Sequence, residues 1–252
     1  MNQEDVIFTK RLQEFADKAY QNSQYVFTGF LGLSEQDLFY KIQRDISYVP
    51  VTAFGGTADC ERVMLRFGSE ELCGYEEPFP IVCLEIKPLV EKFGELLNHR
   101  DYLGALMNLG IERSTLGDII IVEKTAYLFV TEKMSPYIME NLDQVRHTHV
   151  SCKEATSIPE STIVNLERKS ILVSSERIDL VISKLCNLSR SQSIALFQAK
   201  KVFVNGRCYE NNSATLKPDD RVSVRGYGKF IYRGKQYETK KGKLSVDVDV
   251  YS

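Results

Sequence analysis

Over the first 75 residues the apolar positions change period twice. Val6, Ile7, Phe8, Leu12, Phe15, Ala19 and Tyr20 recur on one broad face, which predicts a helix over residues 4–20. Thr28-Gly29-Phe30-Leu31 breaks it, and Ser34 is placed to cap a second helix that runs to Arg44. Tyr48 to Phe54 reads as a strand ending in Gly55-Gly56. Arg62-Val63-Met64-Leu65-Arg66-Phe67 alternates cleanly, so the two strands are expected as a hairpin. Ser69 to Pro80, with Gly74, Pro78 and Pro80 among its glutamates, is the expected domain boundary.

From Pro80 the pattern runs strand, helix, strand, strand, helix, strand. The segments are Ile81–Ile86, Arg100–Leu109, Asp118–Glu123, Thr125–Thr131, Pro136–Leu142 and Val145–Cys152. Gly110 ends the first of the two helices, and Gly104 inside it is expected to mark close packing against a neighbour. This order is the split βαββαβ arrangement of ferredoxin-like domains, which RNA-recognition motifs share. Those motifs stack bases on aromatics of the third strand, and Tyr127 and Phe129 share a face there. The glycine of that signature is missing, so a core role for both rings stands beside the stacking role. Ile158 to Arg168 is expected as a linker or short helix.

Ile178, Val181, Ile182 and Leu185 fall at i, i+3, i+4 and i+7, an apolar helical stripe, with Arg177 and Lys184 on one flank. A second helix opens at Ser189 with Gln192 three residues on, the spacing of a capping box. Val202-Phe203-Val204 runs into Asn205-Gly206, a strand entering a type I′ turn, because both residues tolerate positive φ. Farther on, a turn at Arg233-Gly234-Lys235 is expected to make a small hairpin of Phe230–Tyr232 and Tyr237–Thr239. Leu244, Val246, Val248 and Val250 then alternate in a terminal strand.

Length and charge sharpen this division. At 252 residues the chain has room for two or three small domains. The formal net charge is −2, yet residues 1–160 carry 15 Lys/Arg against 25 Asp/Glu, while residues 161–252 carry 17 against 9. A basic C-terminal third on an acidic remainder is the footprint of a polyanion partner. Six scattered cysteines without a CxxC pair read as free thiols in a reducing cytoplasm, and no apolar run is long enough to span a bilayer.

Several fragments now combine: Arg177-Ile178-Asp179, Ser189-Arg190-Ser191, Ala195, Lys200, Val202-x-Val204-Asn205-Gly206, Leu216-Lys217-Pro218-Asp219-Asp220 and Val224-Arg225. Together they resemble the small RNA-binding fold of the ribosomal-protein-S-four type over about 55 residues. That resemblance implies that the two helices lay their basic starts on RNA backbone. Its contact residues would be Arg177, Arg190, Ser193, Lys200, Lys201, Asn205 and Arg225. For each one alone, an ordinary solvated or helix-end role is the simpler reading.

Over nearly its full length the chain is similar to the YlmH-type proteins. Phe30-Leu31, Gly55-Gly56, Glu61-Arg62 and the run Arg100-Asp101-x-Leu103-Gly104-Ala105-Leu106-Met107-x-Leu109-Gly110-Ile111-x-Arg113-x3-Gly117-Asp118-Ile119 carry that similarity. It implies an α+β protein of three small domains: a mixed N-terminal domain (1–75), a ferredoxin-like, RNA-recognition-like domain (79–155) and an S-four-type RNA-binding domain (168–252). It also implies structured RNA, ribosomal RNA and tRNA, as partner, and work at the large ribosomal subunit in quality control of stalled translation. A cytoplasmic monomer that needs no cofactor is expected. Arg113, in a loop with no structural duty legible in the sequence, is a second RNA-contact candidate.

The rival expectation is an RNA-modifying enzyme, since S-four-type modules accompany pseudouridine synthases and Arg177-Ile178-Asp179 resembles their Arg-Leu-Asp. The triplet lacks the preceding Gly and following Thr-Ser-Gly, and Asp179 reads more simply as a helix N-terminal acid. His147 and His149 share a strand face but have no further ligand at metal spacing, and Gly55-Gly56 lacks the Lys-Ser/Thr of a phosphate loop. No catalytic or metal residues are expected.

Overall fold

The computed structural model describes residues 3–157 and 166–251, in two compact units, Met1–Ile163 and Val164–Ser252. Helices and antiparallel sheets alternate without parallel pairing among the described residues, an α+β fold.

The first unit opens with α1 (Gln3–Asn22); Leu12 and Ala19 of its expected face are buried, together with Ala16, while Val6, Ile7 and Tyr20 of that face are exposed. β1 (Val26–Leu31) follows, where the sequence suggested only a break. Its Gly and Thr are tolerated because Leu65 N–H donates to the Thr28 hydroxyl at 2.9 Å. α2 (Leu33–Ile42) has Gly32 as its N-cap, two residues before the expected Ser34, and Gly32 N–H donates to Glu35 Oε2 at 2.7 Å. β2 (Val51–Phe54) and β3 (Val63–Phe67) pair as expected, and the sheet order is β1-β3-β2. The helices close over Leu31, Leu65 and Phe67.

After the short α3 (Glu70–Cys73) come β4 (Ile81–Pro88), α4 (His99–Asn108), β5 (Leu116–Val122), β6 (Thr125–Thr131), α5 (Ser135–Asn141), β7 (Gln144–Val145) and β8 (Thr148–Glu154). The expected last strand is thus a tight β7–β8 hairpin, and the sheet order is β5-β6-β4-β8-β7. One sheet face packs Leu84, Ile86, Leu128 and Val130 against Tyr102 and Leu106 of α4 and Ile138 of α5. Gly104 of α4 is not packed: a Cβ there would meet nothing within 4 Å.

The other face is covered by the three-stranded sheet of the same unit. Phe129 meets Phe30 and Met64, and Gly56, at φ +110°, lies so close to the Phe129 ring that a Cβ would stand 2.1 Å from it. Arg62 ties the seam from inside. It donates to the carbonyls of Leu116 (2.8 Å), Phe30 (2.8 Å) and Arg113 (2.9 Å), while Asp118 accepts the Glu61 and Arg62 amides.

The second unit begins for the described residues with β9 (Leu166–Val173), so three residues of the expected linker are strand; the rest of it lies outside them. Then come α6 (Ile178–Leu185), α7 (Arg190–Gln198), β10 (Val202–Val204), β11 (Arg207–Cys208), β12 (Arg221–Val224), β13 (Gly228–Glu238) and β14 (Leu244–Tyr251). The sheet order is β11-β10-β12-β13-β14-β9. The expected hairpin at 233–235 is absent. β13 runs straight through, and Gly234 at φ +99° takes up a bulge where the register to β14 shifts. Both helices pack on one sheet face through Ile178, Val181, Ile182, Leu196, Phe197, Val246 and Val248.

Candidate nucleic-acid interface

The basic surface of the second unit is built at the starts of its two helices. Gln192 and Ser189 make the capping box at the head of α7, with Ser189 N–H donating to Gln192 Oε1 at 2.9 Å. The first turn of α6 is drawn in by the loop before β12: Ile178 N–H donates to the Ala214 carbonyl at 2.9 Å and Asp179 N–H to that of Asn212 at 3.3 Å. This leaves Asp179 fully buried. Its carboxylate accepts Arg177 Nε at 3.0 Å and Nη2 at 2.8 Å, and Arg190 Nε stands 3.9 Å away. Hydrogen bonding to Asp179 pushes the Arg177 guanidinium above its ordinary pKa, so it is charged at any working pH.

Two guanidinium groups are thus gathered at adjacent helix N-termini, where the positive dipole ends already favour an anion. The Arg190 side chain remains 63% exposed and that of Arg177 32%. Asp179, the residue that gathers them, was legible in the sequence only as a helix-start acid. Its (i, i+2) spacing to Arg177 is not a helical pairing distance.

One expected contact is corrected, and a second has a role in the fold. Ser193 is fully buried, and its hydroxyl donates to the Asp179 carbonyl at 2.8 Å, which staples α7 to the start of α6. Asn205 closes the predicted turn, with positive φ at both Asn205 and Gly206. Its amide group donates to Asp220 Oδ1 at 2.8 Å and its oxygen accepts Arg221 N–H at 2.9 Å, so both halves serve the fold.

Lys200, Lys201 and Arg225 form a second group beyond the other end of α7, roughly 15 Å from its start at 1.5 Å per residue. Lys201 N–H reaches the Leu196 carbonyl and Lys200 N–H that of Phe197, a Schellman closure that puts Lys200 at φ +54°. Its ammonium group is 3.3 Å from Glu210. Arg225 N–H bonds the Lys201 carbonyl at 2.9 Å, and the Arg225 guanidinium lies over Phe203, 4.9 Å from the ring centre.

In the first unit the expected sites move inward. Phe129 and Tyr127 are buried, so the core role of these rings is the one realised. The rest of that sheet face holds Glu85, 3.3 Å from both Lys87 and Lys153. Arg113 has the structural duty the sequence did not reveal. It donates to the Leu116 and Gly117 carbonyls at 3.3 and 3.4 Å, and burial, with Arg62 nearby, lowers its pKa to about 10. Among the described residues no three His, Cys, Asp or Glu side chains cluster as metal ligands, and no helix is long and apolar enough to cross a membrane.

Residues 75–158 match the family described as "Putative RNA-binding domain in YlmH". The "Ribosome-associated protein quality control protein P2" of Bacillus subtilis (strain 168) is 29% identical over 251 residues, 95% of each chain. A solved structure described as cell division protein ylmH from Streptococcus pneumoniae superposes with a TM-score of 0.49 at 23% identity, over 64% of this chain and 94% of that one. By the family match and the full-length relative, the chain is similar to YlmH-type proteins, and its residues 75–158 match the putative RNA-binding domain of that family.

Proposed function

We propose that this chain binds structured RNA, ribosomal RNA and tRNA, without transforming it, and serves quality control on stalled large ribosomal subunits in the cytoplasm. The observation that carries the reading is the joint placement of Arg177 and Arg190 at two helix N-termini by one buried carboxylate. The basic balance of residues 161–252 supports it, as does the name of the Bacillus subtilis relative.

In this reading residues 168–252 are an S-four-type module, with α6 and α7 lying on RNA backbone. The sheet order of β4, β5, β6 and β8, second, third, first, fourth, supports reading residues 79–155 as a ferredoxin-like domain. Residues 1–75 make a third domain, laid on that sheet. Enclosure of Asp179 by its own arginines supports binding over catalysis, because a nucleophilic carboxylate must reach its substrate.

The test is co-sedimentation of the purified chain with large ribosomal subunits, alongside binding to labelled tRNA. Arg177→Ala/Arg190→Ala should abolish both in the folded variant, whose melting temperature falls because Asp179 is left buried without its partners, and the RNA bound by the wild type should carry no altered nucleosides. Wild-type-like binding by the double variant would overturn the assignment of this surface, and a modified nucleoside appearing on incubation would overturn the non-catalytic reading.

A further inference from the structure

Three residues around one cleft of the first unit are poor local choices for the backbone they occupy. Arg100 sits in the first turn of α4, where the dipole opposes a cation, and among the described residues no hydrogen bond or ion pair compensates its guanidinium. Gly104 stands exposed in the middle of that helix with open space where a Cβ would be, so no packing explains a residue that weakens the helix. Arg146 is the first residue of the two-residue β7–β8 turn at φ +53°, a conformation that Asn or Gly adopts far more readily. Broken local rules tend to cluster at functional sites, and for Arg100 and Gly104 no internal gain offsets the break.

These three converge. Arg100, Gly104 and Asn108 lie four residues apart on one stripe of α4. With Asn141, Gln144 and Arg146 they line a cleft of about 460 Å³. Asp101, whose other oxygen caps the Asn98 amide at 2.9 Å, is 3.5 Å from the Arg146 guanidinium and holds it beside the helix.

We infer that this cleft takes a phosphate–ribose segment of an RNA strand. Arg100 and Arg146 meet the phosphate, whose charge removes the conflict between Arg100 and the helix dipole. The bare backbone at Gly104 lets the strand approach the helix, and the Asn108 and Asn141 side chains face the sugar hydroxyls. This rests on the reading of the chain as an RNA binder. It moves the contact of residues 75–158 from the sheet face, which Phe30 and Met64 cover, to the opposite, helical side.

Gly104→Leu and Arg146→Asn in the full-length chain test it against a fluorescein-labelled RNA stem-loop of mixed sequence. Both replacements suit their backbones better than the native residue, so both should raise the melting temperature. Gly104→Leu should nevertheless weaken binding about tenfold by filling the cleft. Arg146→Asn should flatten the log-log salt dependence by about 0.7–0.9, with recovery in Arg146→Lys. A role in folding alone cannot give more stability and less binding together. Unchanged affinity in both variants overturns the inference and leaves the cleft to another occupant, such as a protein. Arg190→Ala in the same assay separates the failures. If it weakens binding while the cleft variants do not, only the cleft inference falls; if none of the three does, the RNA-binding reading of the chain falls with it.

Discussion

Asp179, without solvent contact, receives both Nε and Nη2 of Arg177 at 3.0 and 2.8 Å, so one carboxylate fixes the direction of a partly exposed guanidinium. This gives Asp179→Asn a sign that separates two explanations. If bulk electrostatics dominated, deleting a negative charge beside an RNA surface would tighten binding. Positioning predicts weaker binding, because Arg177 and Arg190 lose their shared anchor, and a stability loss of about 1–3 kcal/mol from the broken charged hydrogen bonds. An RNA titration with chemical denaturation reads both, and tighter binding by the variant would exclude the positioning role.

Salt dependence reports how many cations touch phosphate. Five contacts on this face, from Arg177, Arg190, Lys200, Lys201 and Arg225, contribute about −3.5 to −4.5 to the log-log slope. Arg190→Ala should reduce it by about 0.7–0.9 at unchanged melting temperature. A slope near zero for the wild-type chain would show that this face is not the main contact.

Lys200→Gly offers a variant free of folding ambiguity. The lysine adopts φ +54° at the helix end, a backbone where glycine saves about 1 kcal/mol. The variant should melt at the same temperature or higher and bind RNA more weakly. Equal affinity would reduce Lys200 to a partner of Glu210.

Phe129→Ala should cost about 3–5 kcal/mol, as expected for a buried aromatic, and leave RNA affinity per folded molecule unaltered. Lost affinity in the folded variant would mean that the ring reaches RNA after all. Arg113→Gln likewise should lower stability, since it gives up a guanidinium aimed at the Leu116 and Gly117 carbonyls.

Acid should loosen the second unit through Asp249. Arg168 and Arg233 hydrogen-bond its carboxylate and hold its pKa at about 2, below the ordinary 3.8. A depressed folded-state value contributes stability above 3.8 that is lost as the pH falls toward 2. In Asp249→Asn the fall of melting temperature across that window should be shallower than in the wild type.

What the sequence revealed follows from where periodicity is set by local burial. The stripe at Ile178, Val181 and Ile182 and the alternation at Leu244–Val250 are one-sided patterns, and both elements were placed correctly. β1 and β9 were missed because long-range partners define them. Val26–Leu31 carries Thr and Gly that act as breakers unless β3 pairs with them, and Leu166–Val173 is largely exposed and follows no alternation. Among candidate site residues, the placement of Arg177 and Arg190 at helix starts was legible because charge and capping are local. The structural bonds of Arg113, Ser193 and Asn205 were not legible because their partners are groups that only the folded chain brings near.

The β9–β14 pairing makes the domain that must be cloned larger than the motif that can be recognised. All eight residues of β14 face a partner in β9. A fragment cut at Ser174 would keep both arginine-bearing helices and every recognisable signature, yet leave β14 as a bare, valine-rich edge. Such an edge is a template for pairing with other copies. Insolubility of that short fragment would therefore reflect its missing first strand, and restoring the residues from Leu166 should return it to a soluble monomer.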